Sequence, residues 1–427
     1  VLTYGKKGLR AGLAAVLLTL VLLAGCSSVA AVDSQAARTV TFWHDKTGVA
    51  AEALEQALAG FREQHPEITV NAVYAADLSV GGGQKLLTAI AGGNAPDAVF
   101  FDRFQIAAWA EQGALTDLSG RVAADAVNPH RFYSSAWDEV MYGAGIYGLP
   151  VTTDGRVLFY NKEHFALSGL DPDRPPTTIA QLEEYAERLT ISGGAGYERF
   201  GFVPWLGQGS FYTWGWAFGG SFLDEAAERI SLQDERLVSA LEWLQHYAEA
   251  GDKRHMNALA ASGPHEPFAS GLVSMEIGNN LLAATIRQIN PELDYAIAPI
   301  PVAEGSSFRT WSGGYSMVIP KGARNEEDGW SLVKYFTEDK AQQALASVYL
   351  SVVPALNERL FADDPVNGAI VKLLPRSYSR PVLPQGQLLW NELAVALDMA
   401  VNGKGEPRQL LELAEARVNA AAGIGLK

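Results

Sequence analysis

Nine aromatic residues fall between positions 200 and 222 (Phe200, Phe202, Trp205, Phe211, Tyr212, Trp214, Trp216, Phe218 and Phe222), interleaved with Gly, Ser and Gln rather than with Leu or Ile. That mixture suits a pyranose, whose apolar C–H face stacks on indole while its rim of hydroxyls needs planar donors and acceptors. Phe200, Phe202 and Phe218 read as core, whereas Trp205 and Trp214 are candidate stacking platforms. A second group stands upstream, where Trp43 and His44 close the first β-prone run and Asp102 closes the third. Ligands of open parallel sheets bind at such strand ends.

Other chemistries find weaker support. Gly143, Gly145 and Gly148 spell G-x-G-x-x-G, but Leu149, Pro150 and Val151 extend a strand where a dinucleotide site needs a helix N-terminus. Gly81 to Gly83 precede a helix, yet Lys85 lacks the Walker spacing, so a turn is the better reading. The seven histidines form no H-x₃-H or H-E-x-x-H pair, and no G-x-S-x-G elbow exists, so neither a metal nor a serine nucleophile is expected. A glycosidase would need two facing carboxylates, for which Asp102 and Asp154 are candidates, but nothing singles out an acid and a base.

The whole chain bounds these readings. Its 427 residues correspond to about two to four domains. With 48% hydrophobic and 19% charged residues it is neither a disordered chain nor a polytopic membrane protein. A net charge of −15 argues against nucleic acid, whose phosphates are bound by clustered Lys and Arg. One cysteine excludes an intrachain disulfide, a cysteine-based zinc site and an iron–sulfur cluster.

That cysteine has a different explanation. Lys6, Lys7 and Arg10 precede an uncharged run from Ala11 to Leu23, the order of a secretory signal peptide and too short for a spanning helix of about 20 residues. Leu23, Ala24, Gly25 and Cys26 then resemble the lipobox at which bacterial lipoprotein precursors are cut and acylated, palmitate being one such acyl group. Residues 1–25 are therefore expected to be a leader, Cys26 a lipidated anchor at the membrane, and residues 26–38 a flexible tether.

The elements that must position the candidate residues begin near Thr39. Val40 to Trp43, Ile68 to Tyr74 and Ala98 to Phe101 predict strands, separated by helices over Ala50 to Gln64 and Gln84 to Ala91. This order argues for a parallel, helix-covered sheet. Tyr142 to Tyr160 is a glycine-rich β-type passage that predicts a crossing between lobes. Helices follow over 179–191 and 235–250, strands over Leu272 to Ile277, Tyr295 to Ile300 and Tyr315 to Ile319, and helix from Asn325 almost to Ala422.

Several segments, in order, resemble the bacterial extracellular solute-binding proteins of the carbohydrate-binding family, the ABC-importer receptors that include maltose-type binding proteins. They are TFWH at 41–44, FREQHPEITV at 61–70, AGGNAPD at 91–97, YGLPVTTDGRVLFYNK at 147–162, PPTTIAQLEEY at 175–185, FASGLVSMEIG at 268–278 and SGGYSMVIPK at 312–321. The resemblance covers residues 39 to about 400. It implies an α/β, two-lobed periplasmic-binding-protein-like fold of type II, each lobe a mostly parallel sheet flanked by helices, with a helical C-terminal region. The expected lobes are 39–153 with 296–337, and 154–295 with 338–427.

The implied function is a monomeric receptor that captures a mono- or oligosaccharide between the lobes and delivers it to permease subunits. It would work outside the cytoplasm, without catalysis, metal or cofactor, closing on its ligand by hinge bending. Candidate ligand contacts are Trp43, His44 and Asp102 from the first lobe, Asp154 from the crossing, Trp205, Trp214 and Asn279 from the second lobe, and Trp311, Gly313 and Gly314 near a later crossing, with Arg376 at the rim. Many relatives carry an aromatic near position 279 or 280, where this chain has two amides, Asn279 and Asn280. Three alternatives stay open: a receptor for a glycerol-phosphate type of polyol phosphate, with Lys85 and Arg156 as candidate phosphate ligands; a surface glycoside hydrolase; and an adhesin or sensor partner.

Overall fold

The computed structural model describes residues 38–423 except 77, 79–82, 194–195, 225–228 and 264. The leader, Cys26, the tether, Gly81 and Gly82 lie outside the described residues.

Alternation builds the first sheet. In Arg38–His44 the side chains of Val40 and Phe42 are fully buried while their neighbours are not. This strand pairs in parallel with Ile68–Tyr74 on one side and Ala98–Asp102 on the other. Ala98 to Phe101 are all fully buried, as expected of a strand covered on both faces. Tyr315–Val318 then adds antiparallel to Ala98–Asp102, and Leu149–Pro150 completes the five strands. Helix Gly48–Gln64 turns Ala53, Leu54, Ala57, Leu58 and Phe61 inward to cover this sheet.

The second sheet runs in the order Tyr295–Ala298, Val157–Asn161, Val273–Gly278, Gly196–Phe202, Ile191–Gly193. The two-lobed α/β architecture is as expected, but strand direction here is mixed rather than mostly parallel. Only Gly196–Phe202 and Val273–Gly278 pair in parallel; the other three pairings are antiparallel. The cause is the crossing: Val157–Asn161 leaves the first lobe and runs outward, whereas Val273–Gly278 runs back, so that Gly278 lies opposite Val157. Both the incoming crossing and a strand C-terminus thereby reach the same end of the sheet.

The expected boundary at 337/338 is too early. Helix Asp339–Leu345 packs on Gly48–Gln64, with Ala341 and Leu345 in the same core as Ala57 and Leu58 and with Lys340 Nζ 2.6 Å from Glu63. Leu350–Ser351 pairs with the crossing strand Thr152–Thr153. From there the chain first meets the second lobe's core at Tyr378, stacked 5.5 Å from Trp216, and enters it with helix Gly386–Val401 through Leu389, Leu393 and Ala396. Helical periodicity gives no sign of this, because an amphipathic helix does not record which core accepts its apolar face.

Candidate functional site

Four chain segments at the ends of the two sheets' strands and in the crossings converge on one cavity. Asp102 ends a first-sheet strand and lies opposite Tyr315 in register. Thr152 to Arg156 form the outgoing crossing, Gly313 to Tyr315 a returning one, and Asn279 to Leu281 follow the end of the strand Val273–Gly278. With Gln208, Tyr349 and Arg380 these residues line a cavity of about 200 Å³.

Asp154 organises the floor. Its Oδ1 accepts from the Gly313 N–H at 2.5 Å and from the Arg156 guanidinium, and its Oδ2 accepts from Asn279 Nδ2 at 3.1 Å. Asn279 is thereby used twice, since its Oδ1 also accepts from the Leu281 N–H at 3.0 Å and caps helix Asn280–Ile289. Gly314 adopts φ +141°, and a Cβ there would overlap the Thr152 carbonyl oxygen, so glycine permits the close approach of the two crossings.

Arginines and carboxylates alternate behind this floor. Arg156 is buried, with Nε and Nη2 donating to Gln208 Oε1 at 3.3 and 3.2 Å and its guanidinium 3.3 Å from the centre of the Trp311 ring. Burial pulls its pKa down to about 10, against the pull of Asp154, so it stays charged at neutral pH. Arg103, also buried, donates to Glu139 Oε2 at 3.0 Å and to the Gly313 carbonyl at 2.8 Å. Arg380 lies 3.6 Å from both Asp102 Oδ1 and Glu139 Oε1. Each of these three arginines therefore has a carboxylate beside it, and none presents uncompensated charge to the cavity.

Three residues of the lining carry buried polar atoms with no hydrogen-bond partner: Thr153 Oγ1, Asn280 Oδ1 and Arg380 Nε. Buried polar groups are normally paired, so the hydroxyl and the amide oxygen left open around one cavity mark candidate places for a ligand's own donors and acceptors, whereas Arg380 Nε faces Glu139 Oε1 at 3.6 Å. A larger concavity of about 550 Å³, lined by residues including Glu183, Tyr197, Phe200, Tyr247 and Asp252, holds none of the expected ligand contacts. Volume alone does not choose between them; the convergence of crossings, charge and open polar atoms does.

The family model for bacterial extracellular solute-binding proteins matches residues 47–343. The chain belongs to that family. A Brucella abortus chain named only as a binding protein is 25% identical to this solute-binding protein over 415 residues, covering 93% of this chain and 97% of the other. The sn-glycerol-3-phosphate-binding periplasmic protein UgpB of Escherichia coli K12 is 23% identical over 427 residues, covering 91% and 93% respectively. Among solved structures, CpMnBP1 with mannotriose bound superposes with a TM-score of 0.78 at 27% identity, covering 89% of this chain and 100% of that one.

Of the expected contacts in this solute-binding protein, the structure gathers Asp102, Asp154, Asn279, Gly313 and Gly314 around the cavity. The others lie elsewhere. Trp214 is wholly buried, its Nε1 donating to the Pro204 carbonyl at 2.9 Å, because Phe211–Ala217 is a helix whose rings all pack inward. Trp311 is buried too, with Nε1 donating to Thr213 Oγ1 at 3.0 Å and Arg156 over its face. Half-buried Trp205 packs against second-lobe core residues, and Arg376 is exposed. Trp43 and His44 end their strand at the same edge of the sheet as Asp102, Trp43 lying level with Val99, but neither lines the cavity; Lys85 Nζ is 5.1 Å from the Trp43 ring and Tyr74 is edge-on to His44.

Sequence reasoning missed Thr153, Gln208, Asn280, Tyr349 and Arg380 as lining residues and weighed Arg156 only as a phosphate ligand. Thr153 and Arg156 stood in the quoted crossing motif, where their proximity to Asp154 was a usable signal. Arg380 had none, because its neighbours at the site are 278 and 241 positions away, at Asp102 and Glu139. Among the described residues no group of three or more His, Cys, Asp or Glu could hold a metal ion, and no helix is long and apolar enough to cross a membrane.

Proposed function

We propose that this chain is the receptor of an ABC importer and that its cargo is a neutral saccharide held at the cavity between the crossings. The observation that carries this reading is the pair of open polar atoms, Thr153 Oγ1 and Asn280 Oδ1, around a lining whose arginines each have a carboxylate beside them. Hydroxyl groups, which both donate and accept, complement such a lining, whereas a phosphate would require cationic donors still in search of an anion. The likeness to CpMnBP1 with mannotriose bound supports the same class of cargo.

The second reading, a polyol phosphate such as glycerol 3-phosphate, draws on the relationship to UgpB. Here Arg156 would be the phosphate ligand, but it already serves Asp154 and Gln208. Hydrolysis is disfavoured because both oxygens of Asp154 are engaged as acceptors and Asp102 Oδ1 accepts from the Phe104 N–H at 3.0 Å.

Delivery of the cargo would use a membrane permease with separate ATP-hydrolysing subunits, the receptor being held at the outer face of the cell membrane by acyl chains on Cys26. The run Leu23-Ala24-Gly25-Cys26 supports the anchor. Incorporation of labelled palmitate in cells, lost in Cys26→Ser, would establish it, and an unlabelled parent chain would remove it.

The cargo is tested by thermal unfolding with mannobiose, mannotriose, maltose, glycerol 3-phosphate and amino acids. A ligand at 100 times its Kd stabilises by about 2.7 kcal/mol, a visible rise in Tm. A rise with a sugar recovered intact supports the proposal. A response to glycerol 3-phosphate alone transfers it to the second reading, and recovery of cleaved sugar ends the receptor reading.

A further inference from the structure

Arg380 stands between the lobes as well as on the cavity. On one side its guanidinium lies 3.9 Å from the centre of the Phe104 ring, and on the other 5.4 and 5.8 Å from Trp311 and Trp390. Phe104 follows the first-sheet strand Ala98–Asp102, whereas Trp390 belongs to the helix Gly386–Val401 and packs against the second lobe's core. The carboxylates that face Arg380, Asp102 and Glu139, both belong to the first-lobe side.

The contact is incomplete in an informative way. Arg380 Nε and Glu139 Oε1 are both buried, neither has a hydrogen-bond partner, and they face each other at 3.6 Å. Glu139's other oxygen shows what the same chemistry gives when the distance is met, accepting from Arg103 Nε at 3.0 Å. A charge-assisted N–H···O bond forms near 2.8 Å, so an approach of less than about 1 Å would satisfy two stranded opposite charges at once. Arg103 is tied to the crossing backbone at Thr152 and Gly313, whereas Arg380 is carried by a segment leading into the second lobe. The 3.6 Å gap is therefore the one of the two that depends on where the lobes stand.

We infer that Arg380 is a cross-lobe latch: it draws the lobes together through Glu139 and Asp102, and it completes the hydrogen bond to Glu139 when the cavity closes on its cargo. This rests on the solute-binding reading of the cavity. It makes Arg380 a positioning residue for cargo retention.

The test has two arms. In a Cys26→Ser background, spin labels at Glu52→Cys and Glu187→Cys, both exposed and on helices of opposite lobes, report the interlobe distance without any ligand. Arg380→Gln and Glu139→Gln should each shift the distribution to longer distances, with partial recovery in Arg380→Lys; an unchanged distribution in both glutamine variants overturns the latch. In the second arm mannotriose dissociation is followed by stopped flow. Each glutamine variant should release mannotriose about tenfold faster, with the double variant little faster than either. Additive effects, or unchanged release, overturn it. Should mannobiose, mannotriose and maltose all fail to bind the parent protein, the saccharide reading falls, and the ligand-free distances still decide the latch.

Discussion

The helix Phe211–Ala217 and the cavity at the crossings are both rich in residues that bind sugars elsewhere, yet they use them in opposite ways. In the helix, Tyr212, Trp214 and Trp216 turn inward, Tyr212 stacking on Trp216 with ring centres 5.2 Å apart and Trp214 lying 4.7 Å from Trp243. At the cavity the lining is mainly short polar chains and glycines, with charged groups held in place by one another. Trp311 marks the border, since rings of the aromatic cluster lie on one side and the Arg156 guanidinium covers the other. Density of tryptophan thus reports where this protein is stabilised, whereas fixed, partly unmatched polar groups mark its candidate recognition site.

The sharpest way to break this comparison is to damage each region equally. Trp214→Ala should cost about 3–5 kcal/mol of stability as an emptied core site, while the folded fraction retains its Kd for cargo. Asp154→Ala should cost a similar few kcal/mol, because it leaves Arg156 buried without its partner, and should also abolish measurable binding. Denaturant titration with calorimetric binding on both variants checks the pair. Loss of binding in folded Trp214→Ala would erase the distinction.

Glu276 probes the border from the aromatic side. It lies beneath the loop that carries Gln208, close enough that a Cβ at Gly207 would press on its Oε1, and Oε1 is 3.0 Å from His265 Nδ1. Burial pushes its carboxyl up to about 7 from an ordinary value of 4.5, with His265 opposing and Glu266 adding to the rise. Because the folded-state value is raised, its contribution is fully present below about pH 4.5 and is lost as pH rises through about 7, on the order of 3 kcal/mol in all. The difference in stability between the parent and Glu276→Gln should vary with pH across that window. Cargo affinity should stay level across the same range if the border is sharp.

The smallest effect has opposite signs in the two readouts. Thr153→Val replaces an unpartnered buried hydroxyl with a methyl group, so the ligand-free protein should gain up to about 1 kcal/mol in stability while cargo binds several-fold more weakly. Thermal unfolding and titration on one preparation read both. A loss of stability would mean that Thr153 Oγ1 already has a structural role.

Much of the fold was legible locally. Strand alternation in Arg38–His44, the apolar stripe of Gly48–Gln64 and the fully apolar Ala98 to Phe101 are each written within a few residues, and the structure follows them. Part of the candidate cavity's lining was legible where strand ends and crossings could be read, which gave Asp102, Asp154, Asn279, Gly313 and Gly314. The site was illegible where aromatic rings were weighed by type. Trp214 and Trp311 have the side chains of a stacking platform, but helix periodicity and the Arg156 guanidinium take their faces.

By itself the sequence determined the class of the protein: periodicities set by backbone geometry, glycine at the crossing, and ordered motifs that belong to the solute-binding family. Tertiary structure alone decided the pairing of charges, the reach of the first lobe to Leu350 and beyond, and the place of Arg380 between Phe104 and Trp390. The physical reason is range. Hydrogen bonds within a helix, a strand's pleat or a turn are specified by neighbours in the chain, whereas a buried charge is tolerated only beside a partner that folding brings from hundreds of residues away.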